Sequence, residues 1–247
     1  MNISATIICL NEEKKIRTCL NSLDWADEIV IVDSGSTDAT LDICAEYTEN
    51  IYHRKFDNYI RQKNHAATRA SNDWIFNIDA DEKVSAELRD ALLRIKAENM
   101  DEKNAVAVKR LTRYCGGWIR HCGWYPGWQT RLYNRKACEW KGDLIHEHLA
   151  VPGAVRRIDA DLLHYSFDSI SDHYRTADRF TRMGARELKA AGVKKGLFHI
   201  LLRAGYTFFR VYVLKKGFRD GWRGFSIAGF SAFSVFTKYV RVREPDE

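Results

Sequence analysis

The chain has 247 residues, a formal net charge of +6 and an apolar fraction of 45%, enough for one large core or a core with an appendage. With 3 prolines, no Ser/Pro/Gln-rich tract and no internal repeat, it reads as neither a disordered nor a solenoid protein. Its charge is unevenly placed: from Arg175 onward 16 Lys and Arg stand against 6 Asp and Glu, whereas the preceding residues carry 23 and 27. A basic tail on a near-neutral body points to an anionic partner.

The opening stretch has no basic start, and its apolar run is short. It reads as a first buried strand over residues 3–10 and not as a secretory leader, which implies a cytosolic protein. Cys9, Cys19, Cys44, Cys115, Cys122 and Cys138 form no CxxC pair, so reduced thiols are expected. Asn11 is placed to cap a helix with Glu12 and Glu13 in its first turn, and Ile16, Cys19, Leu20 and Leu23 fall on one face. A second strand covers Glu28–Asp33. The turn Ser34-Gly35-Ser36-Thr37-Asp38 leads into a helix with Leu41, Cys44 and Ala45 inward. A short strand over Ile51–Arg54, a helix over 58–70 and a strand over Trp74–Ile78 follow. That strand runs into Asp79-Ala80-Asp81-Glu82, and Ser85 then caps another helix. Strand and helix alternate as in a doubly wound α/β sheet. Residues 112–165, rich in Trp, Tyr, Gly, His and Cys, predict strands mixed with long loops. Residues 170–192 and 197–240 predict helices. No run of 18 uncharged apolar residues occurs, so no spanning helix is expected.

Three polar clusters lie at strand ends, where open α/β sheets bind ligands: Asn11-Glu12-Glu13, Asp33-Ser34-Gly35-Ser36 and Asp79-Ala80-Asp81-Glu82. Three carboxylates within four residues repel one another unless a cation compensates. Hard oxygen donors suit Mg²⁺ or Mn²⁺ bridging to a diphosphate. A solvated helix cap is the bland alternative.

The string IICLNEE…DEIVIVDSGSTDAT…RQKNHAATRASNDWIFNIDADE resembles family 2 glycosyltransferases of the GT-A fold, densely over residues 3–95. The resemblance implies a Rossmann-like mixed α/β sheet flanked by helices, a nucleotide-sugar donor (usually a UDP-sugar), a divalent metal (Mg or Mn) and inversion at the anomeric carbon. It assigns Asn11 and Glu13 to the nucleotide pocket, Asp33 to the base or ribose, Lys63 to the neighbourhood of the base, Asp79 to the ribose or metal, and Asp81 to the metal. Ser34 stands where many members have a second Asp. GGWIRHCGWYPGWQTRLYNR, WKGDLIHEHL and LLHYSF look like the subgroup that glucosylates the inner core of bacterial lipopolysaccharide. That likeness implies UDP-glucose as donor and a heptose, or another lipid-linked core sugar, as acceptor. Gly127-Trp128 departs from the charged pair expected there.

Inverting transfer needs a base. Glu147, also readable as a salt-bridged loop carboxylate, is the first candidate and Asp143 the second. His146, His148 and His164 are candidates to complete a metal shell or bind phosphate, or are structural. Gln129 and Arg131 either orient the acceptor or diphosphate or are packed. Trp118, Trp124, Tyr125 and Trp128 either stack on sugars or line a core. The expected organisation is a catalytic domain over 1–168, with nucleotide-sugar binding over about 1–110 and the acceptor side over about 111–168, followed by a helical basic and aromatic region over 169–247. That region mixes Arg203, Arg210, Lys215, Lys216, Arg219, Arg223 and Lys238 with Phe, Tyr and Trp. It fits an interfacial helix on anionic lipid, hence a peripheral protein on the inner face of the bacterial inner membrane; packing on the catalytic domain or a dimer contact is the alternative. No nucleic-acid-binding motif is seen. A nucleotidyltransferase would bring a Gly-rich basic loop near its first strand. A binding module without activity would not need the acidic turn. The sequence leaves the oligomeric state open.

Overall fold

The computed structural model describes residues 1–142, 147–193 and 195–245. The chain forms two compact units, Met1–Arg110 with Trp128–His164, and Leu111–Gly127 with Tyr165–Glu247. The stretch 111–127, expected on the acceptor side of the catalytic domain, thus groups with the C-terminal helices.

In the first unit β1 (Ile3–Cys9), β2 (Glu28–Asp33), β3 (Ile51–His53) and β4 (Trp74–Asp79) are parallel, in the order β3-β2-β1-β4. Helices α1 (Ile16–Leu20), α2 (Thr40–Ala45), α3 (Tyr59–Arg69) and α4 (Ala86–Lys96) alternate with these strands. β1 and β4 are almost wholly buried, as expected where a parallel sheet is covered on both faces. Ile3, Ile7, Phe76 and Ile78 meet Leu20, Leu88 and Leu92 in one core, with Trp25 edge-on to Phe76 at 5.2 Å. Beyond β4 the sheet becomes mixed. It continues through β8 (Gly127–Asn134), β6 (Ala105–Tyr114), β11 (Val155–Phe167) and β5 (Glu82–Val84). β8 is antiparallel to β4 and β11 antiparallel to β5. A separate antiparallel pair joins β9 (Glu139–Gly142) to β10 (Glu147–Ala150). The fold is the helix-flanked mixed sheet that the resemblance implied.

Two local expectations change. Asn11 caps no helix: it takes a left-handed conformation (φ 54°), which Asn tolerates, and α1 starts only at Ile16. Its side chain instead accepts from Thr37 N at 2.8 Å. In α2, Cys44 is buried but Ala45 faces solvent.

In the second unit the end of β6 pairs with β7 (Gly117–Ile119) around the fully buried Tyr114. Trp124, Phe167 and His173 meet Tyr114 edge-on at 5.9, 5.7 and 5.3 Å. Helix α5 (Ile170–Ala190) begins with a reciprocal Ser169/Asp172 capping box. Helix α6 (Leu197–Phe209) runs on through a π-helical turn to Leu214, and α7 (Gly221–Arg241) packs against it. The run Leu197–Leu214 has 18 residues and a mean hydropathy of 1.2, long and apolar enough by length and composition to cross a membrane, and 11% of it is buried. The helix carries Arg203 and Arg210, so the absence of an uncharged apolar run of 18 residues stands.

His173 has Nδ1 2.8 Å from Tyr114 Oη, and burial pushes its pKa down to about 4. The unfolded chain therefore binds more protons between about pH 6.5 and pH 4, and the stability contributed by neutral His173 is lost as pH falls through that window. Thermal unfolding at pH 7, 5.5 and 4.5 should show a smaller acid-side drop in Tm for His173→Phe than for the native chain. Parallel Tm curves for the two would exclude this contribution.

Candidate active site

The carboxyl ends of β1, β2 and β4 lie adjacent, with Cys9 opposite Asp33 and Ile8 opposite Asp79 in register. The first two loops are stitched together. Asn11 N donates to Ser36 Oγ at 2.9 Å, and Glu13 Oε2 accepts from Ala39 N at 3.2 Å. Asn11 and Glu13 stay exposed at this rim, whereas Asp33 is fully buried. Asp33 accepts from Gly35 N at 2.9 Å, Ser36 N at 3.0 Å and Ser36 Oγ at 2.5 Å, and lies 3.5 Å from His53 Nδ1. Burial alone would raise its pKa, but the Ser36 and Gly35 donors hold the carboxyl below the ordinary range. Asp33, expected to contact base or ribose, is therefore occupied in shaping the turn. Gln62 Nε2 reaches Ser34 Oγ at 3.0 Å.

At the end of β4 the cation that the acidic turn requires is a guanidinium. Arg131 on β8, 2% exposed, places Nη2 2.8 Å from Asp79 Oδ2 and 2.6 and 2.7 Å from the two Glu82 oxygens; Nη1 lies 3.2 Å from Asn77 Oδ1. The strands explain this meeting. β8 pairs with β4 as Phe76↔Leu132, so Arg131 stands one step further along, beside Asn77. Glu82 also accepts from Asp79 N at 3.0 Å. Burial opposes ionisation of Asp79, but Arg131 and then Lys63 hold its carboxyl far below the usual range, while burial pushes Glu82 up in spite of Arg131. Arg131 is thus not an exposed ligand for acceptor or diphosphate, as one reading had it; it is packed within the acidic turn.

Asp81 and His164 face each other from β5's approach and β11, whose register sets His164 opposite Glu82. His164 Nε2 is 3.2 Å from Asp81 Oδ2, and both side chains are partly exposed. That spacing is what two neighbouring ligands of one cation show when each bond is about 2.1 Å. Among the described residues no group of three or more His, Cys, Asp or Glu side chains is arranged for a metal. The pair alone would leave most of a divalent cation's oxygen shell to other donors.

Lys63 is on the inward face of α3, a helix capped by Asn58 accepting from Arg61 N at 2.9 Å. Its ammonium is 4.4 Å from the centre of the Trp140 ring, 2.5 Å from Glu147 Oε1 and 3.9 Å from Asp79 Oδ1. Asn64 bonds Trp140 N and O at 3.0 Å each, clamping β9 to α3. β10 follows by its pairing of Glu147 with Gly142, so Glu147 is brought to Lys63. Lys63 is buried in this ion pair rather than open to a base. Glu147 Oε2 is buried with no hydrogen-bond partner among the described residues. Asp143 and His146 lie outside the described residues; His148 is exposed.

The structure brings Lys63, Asp79, Asp81, Glu147 and His164 into one unit with Arg131, Asn11, Glu13 and Asp33. Gln129 is half-buried on β8 in the same unit. Trp124 and Tyr125 fall in the other unit. There Trp124 packs against Tyr114 and Phe167, and Arg120 lies 5.6 Å from the Tyr125 ring. Trp124 therefore belongs to a core, the second of its two readings. Sequence reasoning missed Glu82 and Arg131 as partners. The available signal was the excess of carboxylates itself, which demanded a counter-charge.

The family model described as Glycosyl transferase family 2 matches residues 4–146. The chain is 30% identical over 98% of its length to an uncharacterized glycosyltransferase of Rickettsia bellii, covering 86% of that protein. It is 29% identical over 97% of its length to the lipopolysaccharide core biosynthesis glycosyltransferase LpsC of Rhizobium meliloti, covering 91% of it. The crystal structure of S. aureus TarS 1–349 in complex with UDP-GlcNAc aligns with a TM-score of 0.46 at 17% identity, over 90% of this chain and 76% of that one. The chain belongs to glycosyl transferase family 2.

The Arg131 cluster yields a stability prediction. Arg131→Ala leaves buried Glu82 and Asp79 without their counter-charge and should lower the unfolding free energy by about 3–5 kcal/mol in urea titration. Adding Glu82→Gln should recover part of the loss. An unchanged urea midpoint for Arg131→Ala would show that the cluster contributes nothing to stability.

Proposed function

We propose that the chain is an inverting, metal-dependent glycosyltransferase that moves a sugar from a nucleotide diphosphate onto a lipopolysaccharide inner-core sugar. The donor in this reading is UDP-glucose and the acceptor hydroxyl that of a heptose. Nucleotide-sugar binding is assigned to residues 1–110 of a catalytic domain over 1–168. The observation that carries the reading is the convergence of Asp79, Asp81, His164, Lys63 and Glu147 beyond the carboxyl end of β4, in a member of family 2. Full-length similarity to LpsC supports the acceptor class.

Asp81 and His164 would hold Mg²⁺ or Mn²⁺, which stabilises charge on a departing diphosphate. Asn11 and Glu13 line the rim toward the nucleotide, and Ser34 beside the occupied Asp33 offers a hydroxyl there. Glu147 takes the proton of the attacking hydroxyl, with Lys63 fixing its other oxygen. Gln129 is assigned to the acceptor side. Two outcomes test this. A panel of nucleotide sugars with Mn²⁺ and lipopolysaccharide-core acceptor should give acceptor-dependent UDP release from one donor. Glu147→Gln should cut kcat about 10²–10⁴-fold while donor binding persists. Nucleotide binding by neither protein would sink the reading.

The C-terminal region is assigned to the inner face of an anionic membrane. Phe198, Leu201, Leu202, Phe209, Val213, Phe218, Trp222, Phe225, Phe233 and Phe236 are all exposed. On α7 the exposed aromatics recur at 222, 225, 233 and 236, one helical face, and Lys215, Lys216 and Arg219 lie between the helices. That mixture suits the lipid interface. Neutralising Lys215, Lys216 and Arg219 together, each to Gln, should weaken co-sedimentation with phosphatidylglycerol-containing vesicles roughly 100-fold, at about 1 kcal/mol per basic residue near the surface. Binding insensitive to both the neutralisation and to salt would favour a span through Leu197–Leu214 instead.

A further inference from the structure

Three helix ends meet in the C-terminal unit and leave a cavity between them. Helix α5 stops before Gly192, whose left-handed backbone (φ 67°) turns the chain, with Val193 N bonded to Leu188 O at 2.9 Å. The chain then passes Lys195 and enters α6 at Leu197. The end of α7 arrives at the same place with Tyr239, Val242 and Arg243. Two bonds tie these ends together: Lys189 Nζ donates to Glu244 O at 2.6 Å, and Arg243 Nη2 donates to Lys195 O at 2.8 Å. The cavity has a volume of about 630 Å³, within the range of small-ligand sites.

Its lining is cationic: Lys189, Lys195 and Arg243 stand against one carboxylate, Glu244. Among the described residues Lys195 and Arg243 have no carboxylate partner. The helix dipoles do not account for them. α7 already has Lys238 and Arg241 in its last turn, and α5 has Lys189, whereas Lys195 and Arg243 lie beyond the helix ends, where the dipole has faded. Tyr239, 7% exposed, also lines the cavity, and its hydroxyl makes no hydrogen bond to the described residues. Arg203 and Lys238 each lie 5.6 Å from the centre of its ring. A buried hydroxyl without a partner, among cations, calls for an oxyanion. Immediately after Lys195, the side chains of Leu197, Phe198 and Leu201 on α6 are exposed. A free anion would have no use for that apolar surface, whereas a phospholipid presents a phosphate and acyl chains together.

We propose that this cavity binds the phosphate of one anionic phospholipid, so that the C-terminal unit grips a single headgroup as well as resting on a charged surface. The inference rests on the proposed membrane association and makes it specific. Lys195 and Arg243 supply charge-assisted hydrogen bonds to the phosphate oxygens. The Tyr239 hydroxyl donates a further bond, and the acyl chains follow Leu197, Phe198 and Leu201. Basic pockets between helices at a membrane surface take anionic headgroups in this way. Diffuse attraction to a membrane depends on charge; a pocket depends on the uncharged hydroxyl too.

The test titrates the full chain by calorimetry with dihexanoyl-phosphatidylglycerol below its critical micelle concentration. We expect saturable binding of one lipid per chain, about 10-fold tighter than dihexanoyl-phosphatidylcholine or inorganic phosphate. Tyr239→Phe keeps the ring and the net charge, so its fold is not in question, and it should weaken binding about 10-fold. Lys195→Gln with Arg243→Gln should weaken it roughly 30-fold. Neutralising Lys215, Lys216 and Arg219, which do not line the cavity, should leave this titration unchanged. A native chain that co-sediments with phosphatidylglycerol vesicles yet binds no monomeric lipid, or binds both headgroups equally, overturns the proposal. Inorganic phosphate binding as tightly as the lipid would overturn the lipid as occupant. A native chain that binds no vesicles at all overturns the membrane reading instead.

Discussion

The end of β4 concentrates negative charge at a place where the sheet offers little water, and much of the first unit is arranged to make that tolerable. A buried carboxylate must find a counter-charge or a set of donors, or else lose its charge. Asp79 and Glu82 find Arg131, delivered by the antiparallel β8. Asp33, two strands further along, finds the backbone donors of its own turn. The parallel strands could have ended in apolar residues. Instead they end in polar groups, each satisfied by a different device, and the partly exposed Asp81 and His164 remain where a ligand can reach them. The mixed character of the sheet has a direct consequence. Without β8 antiparallel to β4, Arg131 would not be brought to the acidic turn.

Much of this was legible in the sequence, for identifiable reasons. Buried parallel strands read as apolar runs, and Ser85 advertised its helix start through cap chemistry. The strand-end clusters were visible because polar residues interrupt apolar runs at the same phase of each strand-helix unit. Illegible were the long-range pairings. Lys63 and Glu147 are 84 residues apart, and nothing local in either segment announces the other. Arg131 is separated from Asp79 by 52 residues and could equally have been a solvent-facing side chain of an aromatic loop. Asn11 misled because an amide oxygen that caps a helix and one that bridges to the next loop look alike in sequence; its left-handed backbone decides between them.

The second unit follows a different logic. Its interior is small and aromatic, with Tyr114 bonded at once to His173 and Ser226, from α5 and α7. α7 also crosses the turn at Gly217 so closely that a Cβ on Gly224 would come within 1.8 Å of the Gly217 carbonyl. Two glycines therefore fix the angle between α7 and the basic segment that precedes it. Helix α6 has three stripes. Ile200 and Val211 are buried, Phe198, Leu202 and Phe209 are exposed, and Arg203 and Arg210 lie between. A helix that merely completed a core would have no use for the second stripe, and a spanning helix in lipid would bear the cost of the third. In the proposed membrane reading the helix lies at a lipid interface, with one face on protein, one in acyl chains and one among anionic headgroups. The uneven charge first seen along the sequence is then a property of this surface. The 16 basic residues from Arg175 onward belong to a unit that contributes none of the side chains gathered at the acidic turn.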